Sequence, residues 1–244
     1  MRWLASLIFT LYFLLSTLIW SAVVACTPFM SFERRFALVR KWARSVMWML
    51  QRLCGLGMKI EGAEHFSGAP VVILQKHSSA WETVAGTLYC PPHTWVLKRE
   101  LMWIPVLNFA LRAMNVIPIN RKGRKTAINQ VIGHGSERIR RNINVMIYPE
   151  GTRVARGQNG RFGRSGSKLA VSAGVPVVPV AHNAGDYWGR QSLLKKSGTV
   201  HVVIGEPIET TGLSAEEVNT RAARWLDETM TRISPAHAQT TSKI

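Results

Sequence analysis

The chain has 244 residues, and 31 Lys and Arg against 14 Asp and Glu leave a formal charge of +17 at pH 7. With 47% hydrophobic residues, that length supports one sizeable core plus an appendage and excludes disorder for the bulk of the chain. Only one stretch is apolar enough to cross a bilayer, which excludes a multi-span transporter, and the charge asks for an anionic partner. The charge is unevenly placed: residues 1–60 hold eight basic side chains and one acidic, and residues 98–168 hold fifteen and three. The first block adjoins a hydrophobic segment. The basic residues also lack interleaved stacking aromatics, so nucleic acid is disfavoured as the partner.

From Trp3 to Phe32 the chain runs without a charge, rich in Leu, Ile and Phe, with Trp3 and Trp20 as candidate interfacial anchors. This segment is expected to span or embed in a membrane. Val23-Val24-Ala25-Cys26 loosely resembles a lipoprotein cleavage box, but a lone Arg2 is a poor leader charge and the apolar run continues past Cys26. Residues 33–54 predict an amphipathic helix, with Phe36, Val39, Ala43, Val46, Met47, Leu50 and Leu53 on one half of the wheel. Arg34, Arg40, Lys41, Arg44 and Arg52 lie on the other half. That pattern suits an anionic bilayer surface; it also suits a helix packed on a core with its charged face in water. The basic cluster after the apolar run places the remainder in the cytoplasm, at the inner membrane.

The expected organisation is a membrane-associated segment over 1–57, one domain over 58–234 and a disordered tail over 235–244, with Gly55, Gly57 and Gly62 marking the first boundary. β-rich runs fall at 71–75, 93–97, 113–119, 143–148, 175–180 and 199–204. Helical stretches fall between them at 81–89, 104–111, 125–140 and 166–173, and after them at 214–231, the last opened by a Ser214/Glu217 capping box. The alternation predicts an α/β fold with a mostly parallel central sheet flanked by helices. Cys26, Cys54 and Cys90 have no metal-ligand spacing and read as reduced thiols. Phosphate-loop, dinucleotide, nucleophile-elbow and zinc-hydrolase motifs are all missing.

Four features stand in order along the domain. Lys76-His77-Ser78-Ser79-Ala80-Trp81-Glu82 follows the first buried strand. Histidine titrates near neutrality and suits a general base, and Glu82 reaches it if His77 sits in the turn before the helix. Ser79-x-x-Glu82 is equally a capping box. Next, Asn115–Arg121 delivers Arg121 into a block with Lys122, Arg124 and Lys125. Third, Tyr148-Pro149-Glu150-Gly151-Thr152-Arg153 ends a strand, where α/β proteins place ligand sites. Gly151 permits a tight turn, and Arg153 carries a planar fork suited to phosphate. Fourth comes the apolar start of a strand, Val175-Pro176-Val177-Val178-Pro179-Val180.

In this order the blocks resemble those of the glycerolipid acyltransferase family, in particular its 1-acylglycerol-3-phosphate acyltransferases. The family pattern is His-x4-Asp, a strand ending in Arg, Phe-Pro-Glu-Gly-Thr-Arg and a Val-Pro-hydrophobic-Pro strand. Lys98 matches a lysine between the first two blocks, and the resemblance covers about residues 60–210. Glu82 stands in place of Asp, and Tyr148 in place of Phe.

The resemblance implies transfer of a fatty acyl group from coenzyme A or acyl carrier protein to the sn-2 hydroxyl of lysophosphatidic acid, with no cofactor or metal. It implies that His77 is the base, oriented by Glu82. Lys98, Arg121, Glu150, Gly151, Thr152 and Arg153 are then the acceptor site, and Val175, Pro176 and Val177 lie near the acyl chain. A His box with Glu leaves room for another lysolipid or glycolipid acceptor, of lipid A or lyso-ornithine type. A non-enzymatic adaptor that binds anionic lipid heads is the rival of another class.

Overall fold

The computed structural model describes every residue except Met1, Ser67, Lys122, Asn159 and residues 242–244, and all side chains within it except those of Arg124, Thr240 and Thr241. Lys122, expected in the basic block, lies outside the described residues. Seven strands form one sheet: β1 (Leu56–Glu61), β2 (Val72–Gln75), β3 (His93–Lys98), β4 (Ile117–Ile119), β5 (Asn144–Ile147), β6 (Val177–His182) and β7 (Gly198–Ile204). Their order is β1-β7-β6-β2-β5-β3-β4, and every neighbouring pair is parallel except β6 with β7. The helices are α1 (Arg2–Ala25), α2 (Phe32–Cys54), α3 (Trp81–Tyr89), α4 (Leu107–Ala113), α5 (Arg124–Arg140), α6 (Ser165–Ala173), α7 (Ala215–Ile233) and α8 (Pro235–Thr241).

The central strands are apolar throughout because both faces are covered. On β2 the side chains alternate: Ile73 packs in a cluster with Phe9 of α1, Val46 and Leu50 of α2 and Trp81 of α3. Val72 and Leu74 pack in the opposite cluster with Val131 of α5, Leu169 of α6 and Ala222 of α7. The Ser214/Glu217 capping box opens α7 as expected, with the Glu217 amide donating to Ser214 Oγ at 3.2 Å.

Several expectations are corrected. β1 has no counterpart among the predicted strands; it is an edge strand in which Met58 and Ile60 remain partly exposed, so its apolar alternation is weak. The helix predicted at 104–111 starts later, as α4 at Leu107, after Val106 at φ 65°, and a 3-10 turn, Arg99–Trp103, precedes it. The strand predicted from 113 shortens to three residues because α4 runs to Ala113 and Asn115 turns at φ 55°. Of the tail expected to be disordered, Pro235–Thr241 forms α8, where His237 is buried and its Nε2 lies 2.9 Å from Asp227 Oδ1 of α7, and residues 242–244 lie outside the described residues.

Of the two N-terminal helices, α1 keeps the apolar outer face expected of it, whereas α2 takes the second of its two readings and packs on the core. The apolar face of α2 is absorbed by the protein, with Phe36, Ala43, Val46 and Leu50 fully buried, so it is not the surface that meets a bilayer. Arg40, on its polar side, donates to the carbonyls of Thr87 (2.9 Å) and Cys90 (2.7 Å), satisfying the C-terminal end of α3. In contrast, α1 turns only a narrow stripe inward. Ser6 Oγ accepts from the Lys195 amide at 3.0 Å, Thr10 Oγ1 accepts from Lys195 Nζ at 2.5 Å, and Ser16 Oγ accepts from Trp42 Nε1 at 3.3 Å. Its other face, with Leu4, Leu7, Leu11, Leu14, Leu15, Leu18 and Ile19, is exposed. A continuous apolar surface of this length marks a membrane contact.

His93 links this packing to pH. Its ring is fully buried between Phe36 and Trp95 and bonds only the Pro91 carbonyl at 2.8 Å, and burial pushes its pKa down to about 4. The unfolded chain therefore takes up a proton near pH 6.5 that the folded chain refuses, so stability falls as pH falls through that window. Between about pH 7.5 and 5 the expected loss is about 2 kcal/mol from this residue. Urea unfolding at the two pH values should show it, and His93→Gln should shrink the difference.

Candidate active site

Four parallel strands deliver the expected residues from their C-terminal ends: His77 follows β2, Tyr148–Arg153 follows β5, Lys98 ends β3 and Arg121 follows β4. This is the edge at which open parallel sheets present ligands.

His77 lies in the turn between β2 and α3, as the spacing requires. Its Nδ1 is 2.8 Å from Glu82 Oε1, and the same oxygen accepts from the amides of Ser78 and Ser79 at 2.9 Å each. One Glu82 oxygen thus takes both the histidine ring and the amides that lead into α3, while Ser79 Oγ accepts from the Trp81 amide, so only half of a capping box forms. Burial opposes ionisation of Glu82, but His182, His77 and the Ser79 amide outweigh it and hold the carboxyl below its ordinary value. An ionised carboxylate only accepts, so in the neutral ring Nδ1 carries the proton and Nε2 the lone pair. The His77 ring is stacked on Tyr148, centroids 4.1 Å apart and planes 21° apart, and its side chain remains 15% exposed. The backbone is pinned as well, because Val154 donates to the His77 carbonyl at 2.8 Å.

A cavity of about 550 Å³ opens beside His77. Tyr148, Gly151, Thr152, Arg153, Lys98 and Arg121 share its wall, joined by Arg190 and Gln191 from the loop after β6. The remaining wall is largely apolar: Trp20 and Val24 of α1, Val39 and Trp42 of α2, Trp95 of β3, and Leu107, Ala110 and Leu111 of α4. Gly151 has φ 69°, the tight turn its position called for, and its carbonyl accepts from Arg121 Nη1. A cationic rim beside a lipophilic interior suits a ligand with an anionic head and a hydrocarbon tail.

Two groups of expected residues lie elsewhere. Glu150 points away from the cavity and is 3% exposed at its side chain, with Oε1 2.9 Å from Lys76 Nζ, itself 7% exposed. Val175, Pro176 and Val177 sit at the opposite end of the sheet. Because β6 runs parallel to β2, its start faces the start of β2: Val177 pairs with Val72, and the Val72 amide donates to Pro176 O at 3.0 Å. Val177 is core, and the apolar wall of the cavity is supplied by α1, α2 and α4 and not by these three residues.

A second histidine, His182, stands at this site. It is fully buried directly behind the pair: Nε2 donates to Lys76 O at 2.8 Å and faces Glu82 Oε2 at 3.8 Å, while Nδ1 accepts from the Ala184 amide at 3.3 Å. Burial keeps its pKa below the ordinary value. Its Nε2–H is taken by the Lys76 carbonyl, so the ring packs against Glu82 Oε2 without a hydrogen bond to it. Its place at the end of β6, 105 residues after His77, left no local signal in the sequence. Arg190 was missed for the same reason. Among the described residues, no group of three or more His, Cys, Asp or Glu side chains is arranged to hold a metal ion.

The site so defined, a carboxylate-braced histidine at the mouth of a cation-rimmed lipophilic cavity, agrees with the sequence comparison. A family profile described as Acyltransferase matches residues 57–183, and the chain belongs to this enzyme family. Within it, the chain is 38% identical over 235 residues to the 1-acyl-sn-glycerol-3-phosphate acyltransferase of Pseudomonas aeruginosa, covering 94% of this chain and 91% of that one. It is 33% identical over 151 residues to human 1-acyl-sn-glycerol-3-phosphate acyltransferase beta, covering 61% and 54%. The crystal structure of the acyltransferase PlsC from Thermotoga maritima superposes with a TM-score of 0.75 at 22% identity, over 96% of this chain and 98% of that one, which establishes the common fold.

Proposed function

We propose that the chain transfers a fatty acyl group from a thioester, on coenzyme A or acyl carrier protein, to the sn-2 hydroxyl of lysophosphatidic acid, giving phosphatidic acid. The observation that carries this reading is the His77–Glu82 pair at the junction of the cationic rim and the apolar cavity. His77 Nε2 removes the hydroxyl proton as the oxygen attacks the thioester carbonyl, and Glu82 holds the resulting imidazolium in place. When the tetrahedral intermediate collapses, the carbon–sulfur bond breaks and the imidazolium returns the proton to the leaving thiolate. Lys98, Arg121 and Arg153 bind the acceptor phosphate, Gly151 holds the Arg121 fork through its carbonyl, and Thr152 completes the wall. No metal or organic cofactor enters these steps.

The exposed apolar face of α1 embeds in the cytoplasmic leaflet of the inner membrane. Contacts from Ser6 to Ser16 tie this helix to the catalytic domain along its length, which supports embedding in one leaflet over crossing both.

The test is thiol release by the purified chain in mixed micelles with acyl-coenzyme A and a panel of lysolipids. Lysophosphatidic acid should be acylated fastest; equal or faster turnover of a lyso-ornithine lipid or glycolipid would overturn the acceptor assignment. Arg153→Ala should raise KM for lysophosphatidic acid by about tenfold or more, the worth of one charge-assisted hydrogen bond, with a smaller effect on kcat. An unchanged KM would remove Arg153 from the phosphate site.

A further inference from the structure

The 3-10 turn Arg99–Trp103 and α4 make a second apolar surface, separate in sequence from α1. Leu101, Trp103, Ile104 and Phe109 are exposed on it, Trp103 by 69% and Phe109 by 61%. Aromatic side chains so exposed at neighbouring positions are unusual on a surface that meets only water. The patch is continuous with α1, because Val24 near the end of α1 packs in one cluster with Ala110 of α4 and Met114 just after it. The α1–α2 turn adds Phe29, which is 80% exposed. Lys98, Arg99 and Arg112 flank the segment and are exposed to solvent. Basic side chains around exposed aromatics match the headgroup and upper acyl layers of an anionic bilayer.

The inner side of the same segment is cavity wall: Leu101, Leu107, Ala110 and Leu111 line it. Between the turn and the helix the backbone is strained. Val106, a β-branched residue, has φ 65° and ψ −53°, and the Leu107 amide donates to the Pro105 carbonyl at 2.7 Å, which makes a γ-turn of the rare positive-φ kind. Strain of this type persists where surrounding structure imposes it, commonly at ligand clamps.

We propose that residues 99–113 insert into the membrane as a second element beside α1, and that a lysolipid passes from the leaflet into the cavity along this segment. The proposal rests on the lysolipid acyltransferase reading for its traffic, but the insertion is measurable without activity. Position 103 or 109 is replaced by Cys in a Cys26→Ser background and labelled with an environment-sensitive NBD dye. On vesicles of phosphatidylethanolamine and phosphatidylglycerol the emission should shift to the blue and be quenched by nitroxide-bearing lipid. A label at Glu228, on α7, should stay unchanged. Trp103→Glu combined with Phe109→Glu should lower turnover of vesicle-embedded lysophosphatidic acid by about tenfold or more. It should leave turnover of detergent-dispersed substrate and the Tm unchanged.

Chain that pellets with vesicles while both labels keep their aqueous emission would overturn the insertion alone. A blue shift in vesicle-free solution that grows with protein concentration would assign the patch to a second copy of the chain and overturn it equally. Insertion with no acyl transfer by the unmodified chain would overturn the traffic and the functional reading, and leave the membrane contact standing.

Discussion

His77→Ala should lower kcat/KM by about 10³–10⁴, the scale of a positioned general base, while vesicle binding and fold are retained. The side chain is partly exposed and its Nδ1 bonds only Glu82, so its removal opens little core. The isosteric change Glu82→Gln tests the second half of the pair. The amide oxygen can still accept from Ser78 and Ser79, but it cannot balance an imidazolium, so kcat should fall by about 10²-fold or more with little change in KM. Activity that survives His77→Ala within a factor of ten would exclude His77 as the base. A Glu82→Gln variant that loses folding would show the carboxylate to be chiefly a cap on α3; circular dichroism and Tm separate the two results.

What was legible in the chain follows the range of the physics. His77 and Glu82 are five residues apart, so a turn and one helical start are enough to place them, and the spacing could be read directly. The β2, β3, β5, β6 and β7 runs were legible because strands covered on both faces must be continuously apolar. The cavity-lining Arg121 and Arg153 were legible as residues that follow strand ends. Depth was not legible. Glu150 shares a motif with Arg153, yet the turn at Gly151 sends one side chain inward and the other to the cavity. The face of α2 looked suited to a membrane because a core and a bilayer ask for the same amphipathic pattern; only tertiary packing decides which one receives it. His182 acts across 105 residues and therefore has no local pattern. That Val175–Val177 lie away from the cavity was not legible, because strand direction, which puts the start of β6 at the far end from His77, is a property of topology.

The buried Lys76–Glu150 pair carries the second large effect. Each partner lies directly beside the chemistry: Lys76 precedes His77, its carbonyl accepts from His182, and Glu150 follows the Tyr148 that stacks on His77. The ion pair thus joins the end of β2 to the end of β5 beneath the reacting atoms. Removing one partner strands a buried charge, so Lys76→Met and Glu150→Gln should each cost about 3–5 kcal/mol of stability. The combined change Lys76→Met with Glu150→Leu should recover most of that loss, because an apolar pair of similar volume needs no desolvation. Activity then distinguishes the frame from a ligand. If Glu150 only ties the strand ends, KM for lysophosphatidic acid in the double variant should stay within about twofold while kcat carries the defect, because misplacing His77 costs turnover without removing a phosphate contact. If the double variant is as stable as the parent yet KM rises tenfold, Glu150 belongs to the acceptor site after all.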